Sequence, residues 1–309
     1  SIDNKNTLIG ALRGKNYEML ATKDTITVYD GIGSFVSKNI VNIENNGHNE
    51  QIEGEKIFIN TGSTTIIPNI KGLKESRYVY TSTSIMELKE LPKKLAVIGA
   101  GYIGLEFASM YSEFGSEVTV IDTAEKLLPK EDEEIAQRVK TILEAKGIKF
   151  LLKSKIDEMS DRDNRGYVKV LGEEGAAEIE ADAILVAIGR KPNTEGLNLE
   201  AAGVRTDERG AVIVDDKLKT TTDNIWAMGD VKGGLQFTYI SLDDFRIIRD
   251  NVYGNGNRTV NDRNVIPYSV FINPPLSRVG MTESEAVAKG YEVKTGKIEA
   301  MVIPKAKIE

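Results

Sequence analysis

The stretch from Lys94 to Asp122, KLAVIGAGYIGLEFASMYSEFGSEVTVID, leaves few folds open. Leu95 to Ile98 is a short apolar run, and Gly99, Gly101 and Gly104 follow it in G-x-G-x-x-G spacing. Apolar residues then recur at helical intervals (Ile103, Phe107, Met110, Tyr111, Phe114) up to Gly115, and Val118 to Ile121 forms a second apolar run closed by Asp122. The pattern predicts strand, tight turn, helix and strand, the unit that holds a dinucleotide. The first glycine permits the turn, the second lets a pyrophosphate approach the backbone, and the third lets helix and strand pack closely. The helix start adds free N–H groups and a positive dipole end for phosphates. A carboxylate at Asp122 accepts ribose hydroxyls and repels a 2′-phosphate, which favours NADH over NADPH. A glycine-rich turn in an ordinary α/β domain would share the spacing, but not the flanking strands and the acidic terminus.

Length and charge narrow the class. At 309 residues the chain holds about two domains and part of a third. A net charge of −7 argues against nucleic acid or an anionic membrane as partner. No apolar run approaches the ~20 residues of a membrane span, and no secretory signal is evident at the N-terminus, so a cytoplasmic protein is expected. There is no cysteine, so no redox thiol or thiolate metal site comes from these residues, and no metal site is expected. The single histidine, His48, lies in a polar stretch and reads as a solvated turn residue.

Taken in order, residues 4 to 22 predict a helix weakened by Gly10 and Gly14. Thr25 to Tyr29, Gly33 to Val36, Ile40 to Ile43 and Glu50 to Glu53 read as short strands, and Ile57 to Asn60 as an apolar strand ending in Thr61-Gly62. Past the central unit, Glu131 to Lys146 read as an amphipathic helix with Ile135, Val139, Ile142 and Leu143 inward. A strand at Ile148 to Leu152, a charged hairpin around Asp161 to Gly166 and the strand of DAILVAIGRKPN follow. EKIFINTGSTTIIP and DAILVAIGRKPN repeat one grammar, a strand ending in a turn after a β-meander, which implies two dinucleotide domains. The first shows only its latter half, so the chain is expected to start inside a domain. Strands at Ala211 to Val214 and Ile225 to Met228, a helix at Ser241 to Val252, a strand at Val265 to Ile272, a Thr282-capped helix to Lys289 and one more strand complete the prediction. Asp230, after Gly229 at a strand end, suits hydrogen bonding to a ligand's hydroxyls, though an Asp in a plain turn fits the spacing equally.

Together, INTGS (59 to 63), GAGYIGLEFA (99 to 108), AIGRKPN (187 to 193), IWAMGD (225 to 230) and YSVFINPPLSRVGMTE (268 to 283) resemble the pyridine nucleotide–disulfide oxidoreductases. Within that group they look most like the reactive-chlorine-resistance and hypothiocyanous acid reductase branch. The resemblance implies an α/β fold: two Rossmann-like dinucleotide-binding domains, the FAD domain incomplete, plus the start of an α+β interface domain, truncated at both ends. The implied boundaries are 1–79 and 194–262 for FAD, 80–193 for NAD(P) and 263–309 for dimerisation.

It also implies a homodimer in the parent protein, with FAD and NAD(H) as cofactors and NADP(H) less favoured; Lys126 is the nearest cation to a 2′-phosphate. Hydride would pass from NADH by way of flavin and a cysteine pair to a small oxidant such as hypothiocyanous acid. Tyr102 would gate the nicotinamide site, its plainer alternative being a loop aromatic packed on the sheet. Glu106 would pair with a lysine near the flavin, the alternative being an exposed helical carboxylate. Gly99, Gly101, Tyr102, Ile103, Gly104, Glu106, Asp122 and Gly189 would serve the dinucleotide and its meeting with flavin. Thr61, Gly62, Gly229, Asp230, Gln236, Phe237 and Thr238, with Ser241, would serve FAD, and Arg190 reads as a surface charge. The family's N-terminal glycine loop, redox cysteines and C-terminal His–Glu pair are absent from the sequence. A dihydrolipoamide dehydrogenase, a mercuric-type reductase or a non-catalytic NAD-binding module are the rival readings.

Overall fold

The computed structural model describes residues 2–304 apart from 174 and 264. Its centre is a five-stranded all-parallel sheet in the order Val79–Thr81, Ala183–Val186, Lys94–Ile98, Glu117–Ile121, Lys149–Leu151. Parallel strands are covered on both faces, so they read as continuous apolar runs, and Ala183–Val186 is buried at every position. The helices Tyr102–Glu113 and Glu133–Ala145 cover one face, burying Leu105, Ala108, Val139 and Leu143 against Leu95, Val97, Val118 and Val120. The antiparallel meander Lys155–Arg162, Arg165–Gly172, Gly175–Ala181 covers the other, with Met159, Val168 and Val170 against Ala96, Ile98 and Ile184. Asp163 and Asn164 turn its first hairpin at positive φ, 50° and 56°.

A second group of elements repeats the grammar at smaller scale. The meander Ile32–Phe35, Ile40–Asn45, His48–Glu53 precedes the strand Ile57–Ile59, which pairs in parallel with Ile225–Ala227. The helix Thr238–Tyr253 follows, with Ile247 and Ile248 packed against Leu218. Two crossing segments join the groups: Ser63–Thr65 and Arg190–Pro192 form an antiparallel pair, Arg190 opposite Thr65. The hairpin Pro267–Val270/Leu276–Val279 then packs Val270 and Ile272 into the same core as the glycine-turn helix.

Several expectations fail for tertiary reasons. Thr25 to Tyr29 forms no strand, because no neighbour offers it a ladder. Ala211 to Val214 makes only isolated bridges, Val212 to Thr206 and Val214 to Thr220. His48 opens a strand opposite Asn45 and is exposed. In the helix Tyr102–Glu113 the inward residues are Gly104, Leu105, Ala108, Ser109 and Tyr111, while Met110 and Phe114 are 37% and 60% exposed. Ile135 is likewise 42% exposed, and Ala136 takes the inward place beside Val139 and Leu143. Among the described residues no strand follows Val279, and Lys305 to Glu309 lie outside them. The helix Ile2–Ala21 matches expectation in extent but buries no residue, touching the rest through Lys5 on Glu87 and the Met86 carbonyl.

Candidate dinucleotide site

The glycine turn joins the C-terminal end of Lys94–Ile98 to the helix starting at Tyr102. Gly99 takes φ +109°, and a Cβ there would lie 2.4 Å from the Ala187 carbonyl oxygen. A Cβ at Gly104 would lie 2.0 Å from the Gly99 carbonyl oxygen, so backbone on one side excludes any larger residue. At Gly101 a Cβ would meet nothing within 4 Å. The first and third glycines are thus demanded by the protein's own packing, whereas the second is not: it borders open space. Gly101 is also the N-cap, and no side chain caps the helix, so its first N–H groups remain available to a ligand. These features fit the pyrophosphate of a dinucleotide.

Asp122 follows Glu117–Ile121, where its Oδ2 accepts from the Ala100 N–H at 2.6 Å and its Oδ1 from the Ala124 N–H at 2.8 Å. The carboxylate therefore braces the turn itself, and each oxygen keeps a further lone pair for a hydroxyl. Ile103 and Tyr102 lie in the first turn of the helix, half-buried.

Tyr102 reaches across to two distant segments, at Glu131 and at Tyr268. Its hydroxyl donates to Glu131 Oε1 at 2.6 Å, and Tyr268 donates to the same oxygen. The two rings lie 5.7 Å apart, tilted by 45°. Arg278 Nη1 stands 3.7 Å from Glu131 Oε2 and donates to the Tyr268 hydroxyl at 3.3 Å. Burial, then the hydrogen bond to Glu131, push the Tyr102 phenol well above the usual tyrosine range, and the same causes raise Tyr268. Glu106, one helical turn on, accepts from the Phe271 N–H at 2.8 Å, and burial pushes its carboxyl up.

The second group supplies another polar strand end. Met228 donates to the Ile59 carbonyl, and the 3₁₀ turn Gly229–Lys232 begins there. Asp230 Oδ2 accepts from the Ser63 hydroxyl at 2.7 Å, and Arg190 donates through Nε to Ser63 Oγ at 2.8 Å and through Nη2 to the Ser63 carbonyl at 2.5 Å. Thr61 donates to the Asn193 carbonyl at 2.8 Å, and Asn193 N–H to the Gly62 carbonyl at 2.9 Å. Gly189 precedes Arg190 and accepts from the Ile66 N–H at 3.0 Å. Gln236 and Phe237 lead into the uncapped start of Thr238–Tyr253, and Phe237 stacks on Tyr268 at 5.3 Å. The Gly229 N–H donates to Asp244, which is fully buried and also meets Lys232 and Arg263.

Thus the structure gathers Gly99, Gly101, Tyr102, Ile103, Gly104 and Asp122 at one turn. It sets Thr61, Gly62, Gly229 and Asp230 at the adjoining strand ends, and Phe237 joins the two through Tyr268. Arg190, expected as a surface charge, is half-buried and bonded to Ser63. Sequence reasoning missed Ser63, Glu131, Tyr268, Arg278 and Asp244. For Ser63 a signal existed, its place at the end of INTGS; Glu131 sits in a charged run, KEDEE, that reads as solvated. A cavity of ≈220 Å³ lined by Ser63, Thr64, Thr65, Thr81, Thr83 and Arg190 lies by these strand ends. A larger one of ≈450 Å³ lies at the opposite, N-terminal end of the sheet beside Lys94, Glu117 and Lys149, where no strand end presents a ligand-binding turn.

The profile described as pyridine nucleotide-disulphide oxidoreductase matches residues 5–244, and the dimerisation domain of the same group matches residues 266–309. The chain belongs to this family. The expected branch is matched as well: the probable pyridine nucleotide-disulfide oxidoreductase RclA of Escherichia coli (strain K12) is 46% identical over 308 residues, 100% of this chain and 69% of the relative. A mercuric reductase of Lysinibacillus sphaericus is 38% identical over 99% of this chain and 55% of its own length. The chain therefore spans roughly half to two thirds of the curated relatives it matches. The HOCl-induced flavoprotein disulfide reductase RclA from Escherichia coli superposes with a TM-score of 0.93 at 47% identity, covering 99% of this chain and 69% of that one. Its Cu(II) complex gives 0.94 at 46%. Among the described residues no helix is long and apolar enough to cross a membrane, and no cluster of three or more His, Cys, Asp or Glu is built to hold a metal.

Proposed function

We propose that the chain is the nucleotide-handling part of an NADH-dependent flavoprotein of the disulfide-reductase type. Gly99, Gly101 and Gly104 would hold NADH with the Tyr102 and Ile103 N–H groups, and Asp122 would take its ribose. Thr61, Gly62, Gly229, Asp230, Gln236, Phe237 and Thr238 would hold FAD, with Gly189 and Glu106 between the two. When bound, the two cofactors together supply hydride transfer. The protein's own part would be orientation, with strand ends fixing both sites. The proposed layout is 1–79 and 194–262 for flavin, 80–193 for NADH and 263–309 for a homodimer contact. The substrate we favour is a small oxidant such as hypothiocyanous acid, met by cysteines that these 309 residues do not supply, in the cytoplasm.

The observation that carries the reading is the contrast within the glycine turn: two glycines the fold requires and one, Gly101, that faces open space where a pyrophosphate would lie. The test is titration of the 309-residue chain with NADH and NADPH, read by cofactor fluorescence, for wild type and Asp122→Ser. Wild type is expected to bind NADH at least tenfold more tightly than NADPH, and the variant to lose that margin. Equal binding of the two by wild type would reject Asp122 as the discriminator. No binding of either would reject the NADH seat. Added FAD is expected to shift and quench its own emission on binding; unchanged emission would reject the flavin site.

A further inference from the structure

We propose that Glu131 is a positioning residue for the nicotinamide end of the site: it pins the Tyr102 phenol beside the open face of the glycine turn, keeping that face clear. The proposal rests on reading the turn as the seat of NADH. Glu131 is only 6% exposed, and a carboxylate so placed persists only when it is well supplied with donors. It has two from distant parts of the chain, Tyr102 at the helix start and Tyr268 on the hairpin, and the Arg278 guanidinium on the hairpin's other strand stands 3.7 Å away as its counter-charge. Tyr268 and Arg278 also bond each other, so the acceptor is held before Tyr102 reaches it.

The geometry gives the direction of the effect. Tyr102 directly follows Gly101, and its hydroxyl ends on Glu131 Oε1 at 2.6 Å, which commits the ring to the side of the hairpin rather than to the glycine turn. Asp122 braces the turn at Ala100, two residues before Tyr102. Tyr102 leans instead toward Tyr268, which stacks on Phe237 at 5.3 Å and 17°, and Phe237 stacks on Tyr239 at 5.4 Å and 7°. This row of rings runs from the glycine turn to the start of Thr238–Tyr253, the proposed flavin end. A ligand stretched from Asp122 toward that helix passes Asp122 with its adenosine half and Tyr102 with its nicotinamide half. Without Glu131 the phenol regains its rotamers, and those that swing it over Gly101 compete with the nicotinamide half alone.

The experiment measures NADH and ADP-ribose affinities of the 309-residue chain by titration calorimetry, for wild type, Glu131→Ala, Glu131→Gln, Tyr102→Phe and the Glu131→Ala/Tyr102→Phe pair. ADP-ribose shares the adenosine and pyrophosphate of NADH but has no nicotinamide, so a lesion of the fold would weaken both ligands. Glu131→Ala and Tyr102→Phe are each expected to weaken NADH about five- to tenfold, the scale of one charge-assisted hydrogen bond, and to leave ADP-ribose within about twofold. The pair should lose no more than either alone, and Glu131→Gln, which keeps an acceptor, should recover part of the loss. NADH affinity unchanged in both Glu131 variants, or parallel loss of the two ligands, overturns the role. Because the Gln variant preserves shape, it decides the matter if the Ala variant does not fold. Wild-type protein that binds neither ligand refutes the NADH seat itself, whereas binding of both with unaltered variants refutes only Glu131.

Discussion

The Ser63 hydroxyl donates to Asp230 Oδ2 at 2.7 Å, joining residues 167 positions apart in the chain. Ser63 in turn receives two hydrogen bonds from Arg190, so one serine connects the crossing strands to the strand end that carries Asp230. Ser63→Ala leaves Arg190 Nε and one Asp230 oxygen without this partner. A loss of about 1 kcal/mol in unfolding free energy is expected, since a part-buried hydrogen bond contributes about that much. Urea unfolding at neutral pH measures it, and FAD affinity should fall in the same variant because Asp230 is no longer held.

The glycine turn offers a sharper contrast. Gly104→Ala places a methyl 2.0 Å from a backbone oxygen and should destabilise the chain by about 1–3 kcal/mol or more, as overpacked sites do. At Gly101 a Cβ meets nothing within 4 Å beyond its chain neighbours, so Gly101→Ala, falling well short of Gly104→Ala, should cost only about 0.5–1 kcal/mol, the margin by which Ala is the poorer N-cap. Its NADH affinity should nevertheless fall at least tenfold. A Gly101→Ala chain that binds NADH normally would mean that the turn holds no pyrophosphate.

Asp244 is fully buried and serves the Gly229 N–H at 2.8 Å, Lys232 at 3.4 Å and Arg263. Arg263 also pairs with Asp243 at 2.8 Å, and Asp243 with Arg258 at 2.9 Å. Asp244→Ala takes the carboxylate from a largely buried lysine and leaves Arg263 with Asp243 alone, and about 3–5 kcal/mol of stability should be lost. Chemical denaturation of the two proteins in parallel tests this; a difference below about 1 kcal/mol would show that the network relaxes around the gap.

Burial pushes the Glu106 carboxyl above its ordinary value of 4.5, and the bond from the Phe271 N–H opposes the shift without cancelling it. A carboxyl raised on folding binds more protons folded than unfolded. Its contribution is therefore present below the unfolded value and is lost as pH rises through the folded one. Glu106→Gln keeps an acceptor for Phe271 and removes that loss. The stability of the variant relative to wild type should accordingly rise with pH from about 4.5 upward and then level off. Urea midpoints for both proteins across that range show it, and a gap independent of pH would contradict a raised Glu106.

Local chemistry made much of the chain legible. The glycine spacing yields the strand, turn and helix of 94–113, Asp163-Asn164 yields a hairpin, and Thr282 with Glu285 yields a capping box whose two reciprocal bonds are present. The recurrence of a meander before INTGS and before AIGRKPN is likewise real in the fold. The sidedness of helices was harder to read. Met110 and Phe114 are the larger apolar residues, yet the close approach that Gly104 permits turns Leu105 and Ala108 toward the sheet.

The sequence alone determined the elements whose signals are short-range: turn glycines, caps and apolar runs act within a few residues and need no partner to be recognised. Only the tertiary structure decided that Arg190 grips Ser63, that Glu131 in a charged run is buried beneath two tyrosines, and that Thr25 to Tyr29 stays out of any sheet. Each depends on what a distant segment brings to that place. A charged residue is solvated unless donors converge on it, and a strand forms only where a neighbour presents its own unpaired N–H and C=O groups.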